Sequence, residues 1–444
     1  MPRFYIKTFG CQMNARDSEI MAQFLRQAGH KECSSAAEAD IILINTCSIR
    51  AKAEHKLISL LGALRPLKKE KPDIIIAVAG CVAQQYGAAL REKMPIIDLI
   101  VGTQRIYQIA ELLAAARRKP GLIAGTLDKS YQIPIFLPDA ATRRRSGSVS
   151  RFVTIMQGCD NFCAYCVVPY TRGREVSRQL SDILEEVQAL LDQGVAEITL
   201  LGQNVNSYGL TNSAGGRLCR FPELLRAVAA LPGLRRLRFT TSHPKDLSDD
   251  LMRCFAELPN LCPHVHLPLQ SGSDAVLKRM NRRYDRQDYL ALVERLLQYR
   301  PDMALSTDII VGFPGEDEAD FAATMDMLER LRFDASFSFK YSDRPGTASA
   351  NFPDKIDERI KGERLQVFQR RQDQISLERN RAYIGKRLEI LLEQVDAVSC
   401  SGRTPSNHLT HINHLSARDI KPGDFVTVVI TDAGQHALRG ELAS

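Results

Sequence analysis

From its first residues the chain alternates short apolar, β-branched runs with longer stretches in which apolar residues recur every three or four positions. "RFYIKTFG" leads into "DSEIMAQFLRQAG", "DIILINTC" into "SIRAKAEHKLISLLGALRPL", "DIIIAVAGC" into "VAQQYGAALREKM", and "DLIVGT" into "QRIYQIAELLAAARR". Runs apolar at every position are strands buried on both faces, and amphipathic helices between them place those strands parallel. Residues 1 to about 120 are therefore expected to form a doubly wound α/β domain. A stretch rich in Arg, Ser and Gly, "ATRRRSGSVSR", reads as an exposed linker.

A second series then begins with "FVTIMQGC" and runs through "EITLLGQN", "LRRLRFTTS", "HVHLPLQSGS", "STDIIVGFPGE" and "ASFSFKYSD", each followed by a helical pattern. Six such alternations fall short of the eight that close a barrel, so a partial (β/α)6 barrel is expected. After Gly385 the pattern changes to strand candidates, "RLEILLEQV", "HLTHINH" and "DFVTVVITDA", with "KPGD" as a turn, which suggests a small antiparallel β-barrel. The implied divisions are 1–140, 141–377 and 378–444.

The 444 residues and 44% hydrophobic content suffice to fill such cores. No run approaches the roughly 18 apolar residues of a membrane helix, and Met1 to Gly10 lack the apolar core of a secretory signal. A cytoplasmic protein without membrane association is the expectation. In that setting eleven cysteines point to metal ligation or thiol chemistry rather than disulfides. The net charge of +7 permits a polyanionic partner without demanding one.

The strongest local signal is "GCDNFCAYC", which spaces Cys159, Cys163 and Cys166 as Cys-x3-Cys-x2-Cys just past a strand end. Three thiolates on one tight loop suit three irons of a [4Fe-4S] cluster and leave the fourth open. Zinc would ordinarily take a fourth Cys or His. This spacing on the first strand of a partial barrel resembles the radical S-adenosylmethionine superfamily. The resemblance implies that the open iron binds S-adenosylmethionine, whose reductive cleavage yields a 5′-deoxyadenosyl radical. The ligand would then lie at the barrel's C-terminal rim, where Gln203, Ser242, Gln270 and Asp308 are candidate cofactor contacts, although loops there favour polar residues anyway. Arg172, Arg174 and Arg178 in "PYTRGREVSR" are candidates for substrate phosphate, or else members of a salt-bridged loop.

Three isolated cysteines belong to the first domain: Cys11 after "RFYIKTF", Cys47 after "DIILINT" and Cys81 after "DIIIAVAG". Equivalent ends of parallel strands converge on one edge, so these three can form a second three-thiolate site. Cys33, Cys219, Cys254, Cys262 and Cys400 show no such placement and are read as structural. Two three-cysteine sites in this order closely resemble the methylthiotransferase family, over essentially the full chain. The resemblance implies a flavodoxin-like first domain, a radical barrel and a C-terminal TRAM domain. It further implies that Cys11, Cys47 and Cys81 hold an auxiliary [4Fe-4S] cluster carrying the sulfur to be transferred, and that all six cysteines are metal ligands and catalytic.

"TFGCQMNARDSE", "NTCSIRAKAEHK", "GCDNFCAYCVVPYTRGRE" and "HLPLQSGSDAVLKRMNRRY" look most like the branch acting on N6-isopentenyladenosine beside the tRNA anticodon. Other branches modify N6-threonylcarbamoyladenosine or an aspartate of a small-subunit ribosomal protein. The implied partners are a tRNA anticodon stem-loop and a reductant such as flavodoxin, with the enzyme a monomer. From Ala382 to Ser444 six Lys or Arg face seven Asp or Glu, so RNA contact there would need a local patch. Lys386, Arg387 and Arg403 with His408, His411 and His414 are candidates, as are Arg143 to Arg145 and the charged helix near Arg370. An iron-sulfur electron carrier without catalysis is the contrasting class. Polar residues at six strand ends argue against it, since a carrier has no use for an organic cofactor pocket.

Overall fold

Runs of Ile, Val and Ala become the central strands of the first domain because both of their faces are covered. In a computed structural model that describes residues 1–48, 51–139, 149–210, 219–396, 398–413 and 420–443, the elements are β1 (Arg3–Phe9), α1 (Gln12–Gln27), β2 (Lys31–Glu32), β3 (Ile41–Thr46), α2 (Ala51–Ala63), α3 (Arg65–Glu70), β4 (Ile75–Gly80), α4 (Cys81–Lys93), β5 (Leu99–Val101), α5 (Ile109–Arg118) and β6 (Leu122–Ala124). The sheet is parallel throughout, in the order β2-β1-β3-β4-β5-β6. Every residue of β3 and β4 is buried. Leu43 and Ala77 face α1 and α5 through Ile20, Leu25 and Leu113, while Ile44 and Val78 face α2 and α4 through Leu57, Leu61 and Val82. The strand order reverses between β1 and β3, and the crevice at such a reversal is where open α/β sheets bind ligands. β2 and β6 extend the four strands read from the sequence; one is two residues long and polar, the other three residues.

The second unit contributes β7 (Ser150–Thr154), β8 (Met156–Gln157), β9 (Val176–Ser177), β10 (Glu197–Leu201), β11 (Arg236–Thr240), β12 (His264–His266), β13 (Ala304–Val311) and β14 (Ala335–Lys340). β7, β10 and β11 pair in parallel, as do β12, β13 and β14. A parallel bridge from Leu237 to Leu261 joins the two triplets, giving the expected six-stranded open barrel. Its apolar core lies between strands and helices, where Ile198, Leu200, Leu237, Phe239 and Val265 meet Ile183, Leu224, Phe255 and Leu290. Because side chains alternate along a strand, Glu197, Arg238, His264, His266, Ser306 and Asp308 fall on the opposite face. They bond to one another there: Arg238 Nε donates to Glu197 Oε2 at 2.8 Å, and Ser306 Oγ lies 3.0 Å from His266 Nδ1 and 3.3 Å from His264 Nε2.

At the C-terminus β15 (Arg387–Val395), β16 (Ser399–Arg403), β17 (Leu409–Asn413), β18 (Phe425–Ala433) and β19 (Leu438–Leu442) close a barrel in the order β15-β16-β17-β19-β18 around Ile390, Leu392, Ile412, Val428 and Leu438. The ladders are antiparallel apart from β17 with β19, which runs parallel. This barrel docks on β11. Arg236 Nη1 donates to the Arg403 carbonyl at 2.7 Å, and Arg238 donates to the Pro405 and Thr404 carbonyls at 2.7 and 2.8 Å.

α1 joins the first domain to the barrel through buried charges. Asp17 Oδ2 accepts from Arg172 Nη2 at 2.6 Å, Arg16 pairs with Glu186, and Glu186 also holds Arg178 Nη1 at 2.5 Å. Among the described residues no helix is long and apolar enough to cross a membrane, and the cysteines are all free thiols.

Candidate active site

Strand ends set the first group of thiols. Cys11 caps α1 at the end of β1, Cys47 follows β3, and Cys81 opens α4 directly after β4. The Cys47 thiol hydrogen-bonds both others. That bond pulls Cys11 down to about 6 and Cys81 to about 7, with the Arg172 guanidinium adding to both, while Cys47 is pushed up. Three thiols that share protons this closely are a donor set for soft metal. The strand ends pack so closely here that only glycine fits at two positions. Gly10 has φ of +141°, and a Cβ there would stand 2.4 Å from Cys47 Cβ; Gly80 has φ of +90°, and a Cβ there would stand 2.3 Å from Asn45 Oδ1. Behind them Asn14 and Asn45 interlock, with Asn14 Nδ2 donating to Asn45 Oδ1 at 3.0 Å and Asn45 Nδ2 to the Asn14 carbonyl at 2.8 Å. Thr46 Oγ1 and Ser48 Oγ, flanking Cys47, are buried with no bonding partner.

Cys159, Cys163 and Cys166 lie on the loop between β8 and the short helix Val168–Thr171. Asn161 Nδ2 donates to Cys159 Sγ at 3.4 Å, and the buried Arg282 donates through Nη1 to Cys163 Sγ at 3.4 Å. Burial pushes Cys159 up to about 11 and Cys166 to about 12. Such thiols stay protonated unless a metal cation takes the proton's place. Donor type and loop geometry therefore fit an iron-sulfur cluster better than reactive free thiolates. Among the described residues no group of three or more His, Cys, Asp or Glu is arranged to hold a metal ion.

Gln203 is placed to support that loop, its Oε1 accepting from Gly158 N at 2.6 Å. Ser242 and Gln270 are buried, and Ser242 Oγ and Gln270 Oε1 have no partner; Asn204 Oδ1 shares that condition. These three orphaned polar atoms sit at the C-terminal ends of three successive strands, β10, β11 and β12. Buried polar groups seldom go unpaired, so the rim offers a polar ligand its missing bonds. Asp308, on β13, lies with Oδ1 3.4 Å from His266 Nε2. Asn204 lies within a strand end that the sequence marks as polar, whereas His266 and Arg282 escaped the sequence reading. Asn204 closes the "GQN" segment, the alternating histidines of "HVH" mark one face of β12, and nothing in the sequence ties Arg282 to a cysteine 119 positions away.

The three arginines of "PYTRGREVSR" separate. Arg172 and Arg178 are buried in the ion pairs with Asp17 and Glu186, whereas Arg174 is 65% exposed, pairs with Asp160 at 2.9 Å and stacks over Phe162 at 5.0 Å. All three are in ion pairs, two of them buried and that of Arg174 at the surface. Lys386 stacks over Tyr383 at 5.2 Å, and Arg387 lines a surface recess with Phe425, Thr427 and Leu442. Arg403 pairs with Glu393 at 3.2 Å, His408 packs on Tyr383, and His411 is exposed. Arg143 to Arg145 and His414 lie outside the described residues.

The segments carrying the two thiol groups meet through one helix contact. The helix Val168–Thr171, which follows Cys166, packs against α4, which begins at Cys81. Arg172, next along, acts electrostatically on both Cys11 and Cys81.

Three family models match the chain: "Uncharacterized protein family UPF0004" over residues 3–102, "Radical SAM superfamily" over 153–328 and "TRAM domain" over 381–443. The chain is 54% identical over 441 residues to a tRNA-2-methylthio-N(6)-dimethylallyladenosine synthase of Desulfotalea psychrophila, covering 99% of this chain and 98% of that one. A synthase of the same name from Syntrophus aciditrophicus is 47% identical, with 99% and 94% covered. Among solved structures, the radical S-adenosylmethionine methyltransferase TsrM of Kitasatospora setae, with cobalamin and a [4Fe-4S] cluster bound, gives a TM-score of 0.57 at 17% identity over 79% of this chain and 77% of that one. That likeness is one of fold.

Proposed function

Because the chain belongs to the methylthiotransferase family of radical S-adenosylmethionine enzymes, we propose that it converts N6-isopentenyladenosine next to the tRNA anticodon to its 2-methylthio derivative. The observation that carries this reading is the meeting of Cys11, Cys47 and Cys81 in one bonded thiol group at the ends of three parallel strands, on the domain against which the helix that follows Cys166 packs. Insertion of sulfur at an sp2 C–H bond needs hydrogen abstraction beside a sulfur already in place, and two adjacent sites of soft donors meet that need.

In this reading Cys159, Cys163 and Cys166 hold one [4Fe-4S] cluster and Cys11, Cys47 and Cys81 a second, each with one iron left without a protein ligand. The chemistry supplied at such sites is one-electron reduction of S-adenosylmethionine at the first-named and sulfur donation at the second. The protein's own groups position and insulate. Arg282 stabilises negative charge on Cys163 Sγ through its Nη1–H. Gln203 fixes Gly158 and with it the loop. Asn204, Ser242 and Gln270 direct their orphaned atoms at the cofactor, and Asp308, steadied by His266, accepts from it. Gly10 lets the backbone pack against Cys47 and Gly80 lets it pack against Asn45. Arg174, Lys386 and Arg387 meet phosphates, since each lies at the surface, while Arg172 and Arg178 hold the domains in register. The units 1–140, 141–377 and 378–444 act together in one cytoplasmic monomer, reduced by a small electron donor such as flavodoxin.

Iron analysis after anaerobic reconstitution tests the two-site arrangement. About eight irons per chain are expected for the native protein and about four for either triple alanine variant, of Cys159, Cys163 and Cys166 or of Cys11, Cys47 and Cys81. Four in the native protein contradicts it.

A further inference from the structure

Phe162, the residue before Cys163, reaches the surface. Its backbone lies in the left-handed region, with φ of +48°, which a bulky residue adopts only when its surroundings hold it there. Asn281 supplies that hold, its Nδ2 donating to the Phe162 carbonyl at 2.9 Å. The ring is 37% exposed. Tyr170, on the short helix that follows Cys166, is 49% exposed and stands edge-on to it, with centroids 6.4 Å apart. Two aromatic rings thus meet solvent on the segment that carries Cys163 and Cys166.

The turn that carries Asn281 touches this loop at further points. Arg282 is buried and donates to Cys163 Sγ, and the Met280 carbonyl accepts from Ala164 N at 2.9 Å. Lys278 and Arg283, to either side, are exposed and make no ion pair among the described residues. The one carboxylate between Cys159 and Arg174 is Asp160, and it is already paired with Arg174. The patch is therefore aromatic, with unpaired positive charge beside it. A nucleic-acid platform offers open ring faces for stacking, whereas Arg174 lies over the Phe162 ring at 5.0 Å. Exposed rings bordered by cations are the make-up of a protein-docking surface.

Resting on the reading of Cys159, Cys163 and Cys166 as the radical site, we propose that Phe162, Tyr170, Lys278 and Arg283 form the docking surface for the electron donor, a small acidic protein that carries its redox group near its own surface. Charge and place both argue for this occupant. Unpaired cations steer an acidic partner to the patch. Electron transfer falls steeply with distance, and Phe162 is joined directly to Cys163. The donor gives up one electron at this surface. S-adenosylmethionine is the final acceptor of that electron, its C5′–S bond breaking to give methionine and the 5′-deoxyadenosyl radical.

The test uses the full chain, with an acidic flavodoxin as the probe. Binding is read by surface plasmon resonance before and after reconstitution of the iron sites. Turnover is read as release of 5′-deoxyadenosine, driven either by reduced flavodoxin or by dithionite, which needs no docking surface. Native protein is expected to bind flavodoxin less tightly as salt rises. A Lys278→Glu, Arg283→Glu double variant should weaken binding and raise the KM for flavodoxin about tenfold or more, with the dithionite-driven rate within about twofold of native. Tyr170→Ser should weaken binding likewise, and Tyr170→Phe should retain it. The proposal is overturned if the double variant binds flavodoxin as native protein does, if its rate falls equally with both reductants, or if it loses affinity for an anticodon stem-loop RNA with flavodoxin binding intact. Native protein that turns over with dithionite but binds no flavodoxin overturns it too. Native protein that releases no 5′-deoxyadenosine with dithionite refutes the radical-site reading itself.

Discussion

Gly10 shows how much one absent methyl group decides. At φ of +141° an L side chain is strained whatever the space, and its Cβ would stand 2.4 Å from Cys47 Cβ. A Gly10→Ala variant is expected to fold, since the strand and helix on either side are unchanged, but to lose the auxiliary site: about four irons per chain instead of about eight, with the Cys159, Cys163 and Cys166 site retained. Full iron content in that variant would show that the space beside Cys47 is not needed. The placement of Cys11, Cys47 and Cys81 was legible here because a thiol at three matching strand ends leaves a mark on the sequence. Arginine was not. Arg172 and Arg174 are two residues apart in the same basic loop, yet one is buried against Asp17, 155 positions away, and the other is mostly exposed.

Between elements, the contact that matters is α1 against the radical barrel. Asp17 and Arg172 are both almost fully buried, as are Arg16, Arg178 and Glu186. Buried pairs such as these add little net stability, but removing one partner strands an uncompensated charge. Asp17→Asn is expected to cost about 3 kcal/mol and to lower the apparent melting temperature, and Asp17→Asn with Arg172→Met should recover part of it. A neutral effect of Asp17→Asn alone would mean the interface does not depend on this pair. The strands that the pattern announced were β1, β3, β4 and β5 of the first domain, the six barrel strands, and β15, β17 and β18 at the C-terminus. β2, β6, β16 and β19 passed unseen because "KE", "LIA", "SCSGR" and "LRGEL" are short, or lack a run of β-branched residues; they strand only when neighbours supply the ladder.

At the scale of the whole molecule, the sheet reversal between β1 and β3 places Cys11 and Cys47, α4 places Cys81, and the helix after Cys166 packs on α4. The C-terminal barrel is held at β11 by Arg236 and Arg238. Domain order and both cysteine sets followed from the sequence, because each rests on local pattern. The bonds of Arg282, His266 and Asn204 did not, because partner choice between distant segments is fixed only on folding. The decisive experiment is nucleoside mass spectrometry of tRNA from cells lacking this protein and from the same cells with it restored. The expected result is loss of 2-methylthio-N6-isopentenyladenosine with accumulation of N6-isopentenyladenosine, reversed on restoration. Persistence of the methylthio nucleoside, with a change in a threonylcarbamoyl nucleoside or in the mass of a ribosomal protein instead, would contradict the proposed function.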